Sequence, residues 1–183
     1  KGIGLLYVNR NVRFLPLIYG GGQERSMRSG TENMPGIAAF QAAAEKVYAS
    51  RAENYTRIKE VRDTMVKELQ NRIDDCHINT PLIESSPYIL NISFPGVKSE
   101  MLLHYLEERG VYVSSGSACH SRKDIKSHVL MAMGLPNEII DSAIRYSFSI
   151  ENTIEEAMKA AEITASAVDE IRTFSKMNRK SKH

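Results

Sequence analysis

Two segments of the chain alternate between apolar and polar residues with the period of a β-strand. They span residues 88–94 and 144–149, and each places an apolar side chain at every second position. The apolar positions are Tyr88, Leu90, Ile92, Phe94, Ile144, Tyr146 and Phe148. Such alternation is typical of a strand with one face in a core and the other face polar. The pattern therefore predicts that Arg145 lies on the polar face of an otherwise well-buried strand.

Helical spacing of apolar residues predicts most of the remaining secondary structure. A capping box, Thr153-Ile-Glu-Glu156, begins the longest of these segments. The predicted helices span residues 35–50, 53–72, 99–109, 124–133, 136–143 and a long segment that follows the capping box. Three strand segments and about four of the helices predict a compact α+β domain over residues 52–174.

Two further apolar runs predict buried strands. Residues 4–8, Gly-Leu-Leu-Tyr-Val, form a continuous run that is typical of a strand buried on both faces. Because this run lies close to the start of the chain, its pairing partners would have to come from elsewhere. Residues 111–113, Val-Tyr-Val, predict a short buried strand that leads into a polar loop.

The composition is that of an ordinary globular protein and disfavours several classes of function. The 183 residues are 42% hydrophobic and 25% charged, with a net charge of +2. Four basic residues lie in the predicted flexible tail, residues 175–183, so no broad basic surface for nucleic acid is expected. No run approaches the roughly 20 apolar residues of a membrane span. The two cysteines, Cys76 and Cys119, form neither a CxxC pair nor a disulfide framework, which favours a reducing, cytoplasmic setting. Cys76 follows Asp74 and Asp75, which disfavour its thiolate, and is interpreted as structural.

Two polar loops carry the candidate chemistry. Residues 114–121, Ser-Ser-Gly-Ser-Ala-Cys-His-Ser, place Cys119 among small, hydroxylated neighbours, which favours an exposed loop over a packing role. An ordinary loop cysteine is the alternative. Residues 20–31 are rich in glycine, hydroxyl groups and arginine, and such a loop can offer backbone N–H groups and the Thr31 hydroxyl to a phosphate. A long flexible loop without a ligand is the alternative here.

Four segments, in this order, resemble one known family. Residues 1–8 resemble the segment just after the cofactor lysine, and residues 20–31 resemble a Gly-Gly-Gly-x-Glu-x-x-x-Arg-Ser-Gly-Thr loop. Residues 114–119 resemble the family's Ser-Ser-Gly-Ser-Ala-Cys loop, and residues 144–148 resemble its substrate-arginine strand. The chain is therefore similar to the C-terminal part of a NifS/IscS-like cysteine desulfurase. That family belongs to the class-V aminotransferases, enzymes of pyridoxal-phosphate (PLP) fold type I.

The resemblance implies roles for five residues. Cys119 would be the nucleophile that carries the sulfur of L-cysteine as a persulfide, and Arg145 would bind the substrate carboxylate through a forked, charge-assisted pair. Thr31, with Arg28 and Gly30, would belong to the loop that reaches the PLP phosphate of the partner subunit in a homodimer. A surface salt bridge is the alternative for Arg145, and a structural role within the loop is the alternative for Arg28.

The resemblance also implies a domain organisation. Residues 1–51 would be the end of a large PLP-binding α/β domain, residues 52–174 a small α+β domain, and residues 175–183 a basic flexible tail. The Schiff-base lysine would lie before Lys1, so the isolated chain is expected to be inactive. The chain by itself is expected to bind no metal, and Cys119 is a candidate ligand of an iron–sulfur cluster shared with a scaffold protein.

The expected activity of the full-length protein is release of sulfur from L-cysteine. The sulfur would pass to an acceptor protein or an iron–sulfur scaffold protein, for cluster assembly or another sulfur-transfer pathway. No nucleic-acid or membrane partner is expected. Two alternatives remain open from the sequence: a non-catalytic module that relays persulfide or binds a partner, and a type I PLP enzyme similar to a selenocysteine lyase.

Overall fold

The chain forms two compact units, Lys1–Arg51 and Ala52–His183. The computed structural model describes residues 2–115 and 126–180, with side chains up to residue 177. In the first unit, a single turn α1 (Gln23–Ser26) precedes helix α2 (Met34–Ala49). The side chain of Asn33 caps α2 by accepting a hydrogen bond from the N–H of Gly36 at 3.1 Å, and proline follows in the first turn.

The predicted strand over residues 4–8 is wrong. This segment forms neither a helix nor a strand, and Leu5, Leu6 and Tyr7 are 76%, 77% and 82% exposed. A strand buried on both faces needs neighbours that pair with its backbone N–H and C=O groups. Within the described residues, no strand pairs with this segment, so its apolar sequence alone does not produce one.

Over its described residues, the second unit combines five helices with a four-stranded antiparallel sheet. Its helices are α3 (Arg51–Arg72, which begins one residue earlier), α4 (Ser99–Glu107), α5 (His128–Ala132), α6 (Asn137–Asp141) and α7 (Ile154–Lys180). Its strands are β1 (His77–Ile78), β2 (Ile89–Ser93), β3 (Ser114–Ser115) and β4 (Ala143–Ser147), in the spatial order β1-β2-β4-β3. The two strands predicted from alternation are therefore confirmed as β2 and β4, which are direct neighbours.

The main core lies between the sheet and three helices, α3, α4 and α7. Buried side chains of this core come from both layers: Met65 and Leu69 of α3, Leu90 and Ile92 of β2, Leu102 and Leu106 of α4, Ile144 of β4, and Ile171 of α7. Each of these is at most 2% exposed, and burial of one such side chain contributes about 1.5–3 kcal/mol. A smaller cluster of Leu130, Ile140 and Ala143 packs where α5 and α6 meet the start of β4. The apolar half of each alternating strand thus faces the core, as predicted.

Helix α7 begins at the predicted capping box. The Thr153 hydroxyl accepts a hydrogen bond from the N–H of Glu156 at 3.2 Å, and the Glu156 carboxylate accepts one from the N–H of Thr153 at 3.1 Å. The helix continues to Lys180, so residues 175–180 are helical rather than part of a flexible tail. No glycine or proline interrupts these residues, and lysine, methionine and arginine favour helix. None of the helices in the described part of the chain is long and apolar enough to cross a membrane.

Two other predicted boundaries differ from the structure. Residues 111–113 are not a strand, because the ladder to β4 begins only at Ser114; Val111 and Val113 instead pack against the core from an irregular segment. The helix predicted over residues 124–133 is shorter, and α5 begins after Ser127, whose hydroxyl accepts a hydrogen bond from the N–H of Leu130 at 3.4 Å. Strand β1 was not predicted, because two residues are too few to show a period.

A set of partly exposed hydrogen bonds joins α7 to two turns of the unit. The guanidinium of Arg172 donates to the carbonyl oxygen of Asp74 at 2.6 Å, to that of Asp75 at 2.8 Å, and to that of Pro95 at 2.9 and 3.2 Å. A single side chain therefore ties α7 to the connection between α3 and β1 and to the turn after β2. Since hydrogen bonds to a charged group contribute about 1.5–3 kcal/mol, we regard Arg172 as a main anchor of this fold.

Replacing Arg172 with methionine is expected to lower the free energy of unfolding by about 2–3 kcal/mol, because three carbonyl groups lose a charged donor. Arg109→Met is the matched control: it removes an exposed ion pair with Glu170, 3.0 Å long, and should cost less than about 1 kcal/mol. Urea unfolding of the 183-residue chain followed by circular dichroism measures both. Equal losses in the two variants would contradict the assignment of Arg172 as an anchor.

Candidate active site

Strand β4 places Arg145 on the face of the sheet opposite the main core. Its neighbours along the strand, Ile144 and Tyr146, are 0% and 4% exposed, whereas Arg145 is exposed. In the ladder, Arg145 lies directly opposite Asn91 of β2 on one side and Ser114 of β3 on the other. Side chains directly opposite in an antiparallel ladder point to the same face, with Cβ atoms about 4.5–5.5 Å apart. Asn91, Arg145 and Ser114 therefore form one polar row across three strands.

Among the described residues, the guanidinium of Arg145 has one hydrogen-bond partner. Its Nη2 donates to the Ser114 hydroxyl at 3.2 Å. No aspartate or glutamate in residues 2–115 or 126–180 forms an ion pair with it, so the alternative of a surface salt bridge has no partner there. A guanidinium carries five N–H donors, and most of these remain available to a planar oxyanion such as a carboxylate.

The core side of β4 is fixed by a buried hydroxyl pair. The Tyr146 hydroxyl lies 2.9 Å from the Thr164 hydroxyl oxygen, and the Thr164 hydroxyl donates to the carbonyl of Ala160 at 2.7 Å. Because Thr164 has a single hydroxyl proton, Tyr146 is the donor of the pair. Burial raises the pKa of Tyr146 well above its usual value, so this proton stays in place. The hydrogen bond between Tyr146 and Thr164 thus joins β4, the strand that carries Arg145, to α7.

A polar network lies on the Arg145 face at its junction with β1 and α6. The side-chain amide of Asn79 donates from Nδ2 to Asn91 Oδ1 at 2.6 Å and to the Ser93 hydroxyl at 2.8 Å. The Ser93 hydroxyl donates in turn to the carbonyl of Ile139 at 2.6 Å. Asn79 is 5% exposed and Ser93 is fully buried, so this network is protected from solvent.

The glycine-rich loop of the first unit is organised around Ser29. This residue is 8% exposed; its hydroxyl donates to the carbonyl of Gly21 at 2.8 Å, and its N–H donates to the carbonyl of Ile18 at 3.4 Å. The next N–H, that of Gly30, donates to Gln23 Oε1 at 3.2 Å. These three bonds close the loop on itself.

The three predicted cofactor residues lie together at the end of this loop. Arg28 Nη1 donates to the carbonyl of Ser29 at 2.9 Å, a contact that fits the structural alternative for Arg28. Gly30 has φ +110°, so a side chain there would strain the backbone, and a Cβ 2.8 Å from Arg28 Nη1 would make the flexible end of Arg28 shift. Thr31 is exposed, and within the described residues its hydroxyl makes no hydrogen bond.

The loop also contains an unusual backbone turn. Glu24, Arg25 and Ser26 have φ angles of 48°, 56° and 63°, all in the left-handed region. Each such residue costs about 1–2 kcal/mol relative to the right-handed conformation. Backbone strain of this kind is concentrated at binding sites and switches, so the turn favours a binding role for the loop.

Cys119 lies outside the described residues, and the candidate nucleophile therefore remains a prediction. The described strand β3, Ser114–Ser115, ends shortly before it. Cys76 is half-buried, and burial, followed by the nearby charge of Asp75, raises its thiol pKa, while Arg172 acts in the opposite direction. A thiol with a raised pKa is a poor nucleophile at neutral pH, which agrees with a structural role for Cys76.

Sequence reasoning did not assign any role to Asn79 or Asn91, and it treated Ser114 only as part of an exposed loop. Asn91 was visible as a polar position in an alternating strand, but the residue opposite it depends on the strand register. Asn79 lies beside the two-residue strand β1, which has no pattern of its own. The described geometry can bind a carboxylate on the sheet and leaves an exposed hydroxyl on the glycine-rich loop.

Residues 1–159 match the aminotransferase class-V family, and the chain belongs to that family. Within it, the chain is 35% identical over 187 residues to cysteine desulfurase IscS of Dictyoglomus turgidum, which covers 99% of this chain and 48% of that protein. It is 39% identical over 175 residues to a cysteine desulfurase of Nostoc sp., which covers 96% of this chain and 44% of that protein. The chain thus spans about half the length of the curated relatives it matches.

A solved structure supports the same assignment of the fold. A NifS-like protein superposes with a TM-score of 0.74 at 36% identity, over 92% of this chain and 41% of its own. The expected α/β fold with a small α+β domain is confirmed by this likeness, and the structure adds that the small sheet is antiparallel. The family resemblance drawn from four short motifs is confirmed as well.

Proposed function

We propose that the full-length protein is a PLP-dependent cysteine desulfurase, which converts L-cysteine to L-alanine and holds the sulfur as a persulfide on Cys119. The observation that supports this most directly is the Arg145 guanidinium, which is exposed, without an acidic partner among the described residues, and fixed at one end by Ser114. A group of this kind on a rigid strand is suited to bind the carboxylate of an amino acid. The reaction itself is inferred from the relatives, which are named cysteine desulfurases.

Arg145 and Cys119 would have separate roles in the proposed reaction. Arg145 would bind and orient the substrate carboxylate. The Cys119 thiolate would attack the substrate sulfur, so that an S–S bond forms while the C–S bond breaks. The electron pair of the C–S bond and one proton stay with the three-carbon product. L-cysteine and an enzyme thiol therefore give L-alanine and an enzyme persulfide, and no outside oxidant is needed.

The glycine-rich loop would hold the cofactor phosphate. Thr31 would donate its hydroxyl, Gly30 would keep the backbone close, and Arg28 would hold the shape of the loop through Ser29. The exposed Thr31 and the strained turn before it fit this role. The PLP ring, when bound, supplies an electron sink for bond cleavage at the substrate. Because this loop would serve the cofactor of the second subunit, the proposal includes a homodimer.

The fate of the sulfur follows from the same chemistry. A persulfide on Cys119 can be passed to a thiol of an acceptor protein or to an iron–sulfur scaffold protein, in which Cys119 could share a cluster ligand position. Iron–sulfur cluster assembly in the cytoplasm is the pathway that we propose.

The proposal is tested by supplying the PLP-loaded full-length protein with L-cysteine and a reducing thiol. L-alanine and sulfide are expected in equal amounts, measured by amino-acid analysis and by methylene blue formation. A preference for L-selenocysteine of more than about tenfold in kcat/KM would instead indicate a selenocysteine lyase. No turnover of either substrate, together with persulfide accepted on Cys119 from another protein, would indicate a relay module.

A further inference from the structure

The row of Asn91, Arg145 and Ser114 contains a second potential donor to a carboxylate. Asn91 is half-buried on the same face as Arg145 and directly opposite it in the ladder. The Ser114 hydroxyl accepts the Nη2 hydrogen bond of Arg145 and keeps its own proton as a donor. Asn91 can add a side-chain amide donor to what the guanidinium and this hydroxyl offer.

The orientation of the Asn91 amide is set by Asn79. Asn79 Nδ2 donates to Asn91 Oδ1 at 2.6 Å, and the opposite orientation of Asn91 would bring two NH₂ groups together. The Asn79 amide is fixed in turn, because its Nδ2 also donates to the Ser93 hydroxyl, which donates to the Ile139 carbonyl. In the described part of the chain, Asn91 Nδ2 has no hydrogen-bond partner. Its two N–H donors are thus free beside the Arg145 position.

This arrangement is retained at a cost in stability. Asn79 Oδ1 is buried and makes no hydrogen bond to any described residue. An unsatisfied buried acceptor costs about 1–3 kcal/mol, and an apolar side chain would avoid that cost. A role in orienting Asn91 gives a reason for an asparagine at this place that packing does not give.

We propose that Asn91 is a second carboxylate-binding residue, which donates from Nδ2 to the substrate carboxylate held by Arg145, and that Asn79 is its positioning residue. The inference rests on the proposed function for the identity of the substrate, an amino acid. It goes further by assigning the recognition of the carboxylate to two neighbouring strands. A carboxylate has two oxygens and about four lone-pair sites, so it can accept from a guanidinium and an amide together.

The test is the dissociation constant of L-alanine, measured by isothermal titration calorimetry on the PLP-loaded full-length protein. Asn91→Ala is expected to raise this constant about tenfold, since a hydrogen bond to a charged group is lost. Asn79→Ala is expected to raise it about threefold. The double variant should resemble Asn91→Ala alone, because Asn79 acts only through Asn91. Ser147→Ala is the matched control, an exposed residue of the same strand and face as Arg145, and should leave the constant unchanged.

Three results would overturn the inference. The first is an L-alanine dissociation constant within twofold of the unmodified protein in Asn91→Ala. The second is equal weakening in Asn91→Ala and Ser147→Ala, which would indicate a general change in the face. The third is no measurable binding of L-alanine by the unmodified protein. Turnover of L-cysteine is measured separately, so a failure of the proposed function is distinguished from a failure of this carboxylate site. The urea midpoint of each variant reports folding, and Asn91→Ser, which also removes the amide donor, replaces Asn91→Ala if that variant does not fold.

Discussion

Replacing Cys119 with serine in the full-length protein is expected to reduce turnover of L-cysteine by at least about a thousandfold. The proposed reaction requires a thiolate that forms an S–S bond with the substrate sulfur, and a serine hydroxyl is neither ionised at neutral pH nor able to form that bond. L-cysteine binding is expected to persist, because the carboxylate site on the sheet is unchanged. Sulfide release measures turnover, and mass spectrometry of the protein after a single treatment with L-cysteine detects the added sulfur atom.

The matched control is Cys76→Ser, the same substitution at the other cysteine of the chain. Burial raises the pKa of the Cys76 thiol, so this residue should not carry sulfur. The Cys76→Ser variant should therefore retain full turnover, and its mass should still rise by about 32 Da when Cys119 takes up one sulfur atom. If Cys119→Ser still acquired the extra sulfur atom and Cys76→Ser did not, the two assignments would be reversed. Loss of PLP absorbance in Cys119→Ser would instead indicate a structural role for Cys119.

The face of Arg145 could be predicted from sequence because a strand has a period of two. Once Ile144 and Tyr146 are assigned to the core, the residue between them must point away from it. The capping box at Thr153 was equally local, since both of its hydrogen bonds join residues three positions apart. Features that depend on only a few consecutive residues were therefore accessible without a structure.

The partners of Arg145 were not accessible in this way. That Asn91 and Ser114 lie opposite Arg145 depends on the register of three strands, and these residues are 54 and 31 positions away from it. The position of β3 was also predicted wrongly, because apolar Val111 and Val113 favour a strand, whereas the ladder uses Ser114 and Ser115. Hydrogen bonds of the serine backbone to β4, rather than side-chain preference, decide where this strand lies.

In the glycine-rich loop, too, local features could be predicted from the sequence and contacts between distant residues could not. Its glycines and hydroxyl groups predicted a loop, and the positive φ of Gly30 fits that composition. The burial of Ser29 and its two bonds back to Gly21 and Ile18 could not be read from the chain, because they join residues 8 and 11 positions apart. The apolar segment at residues 4–8 illustrates the opposite error: a strong local pattern produces no strand where no neighbour completes the sheet.

Arg145→Leu in the full-length protein is expected to raise the KM for L-cysteine about 10²–10⁴-fold, since two charge-assisted hydrogen bonds to the carboxylate are lost and each contributes about 1.5–3 kcal/mol. Arg145→Lys keeps the positive charge but loses the planar fork, and should raise KM about tenfold. The side chain is exposed, so neither change should alter folding. Initial rates over a range of L-cysteine concentrations separate KM from kcat.

Arg109→Leu is the matched control, because it removes another exposed arginine from the same unit, one whose partner is Glu170 at 3.0 Å. Its KM should stay within twofold of the unmodified enzyme. The KM values of the two Arg145 variants distinguish two kinds of binding. If only positive charge matters, the KM of Arg145→Lys should equal that of the unmodified enzyme. If the planar, forked guanidinium matters, that KM should lie between those of the unmodified enzyme and Arg145→Leu. An unchanged KM in both Arg145 variants would contradict a substrate role, and the exposed guanidinium would then serve only to hold β3 against β4 through Ser114.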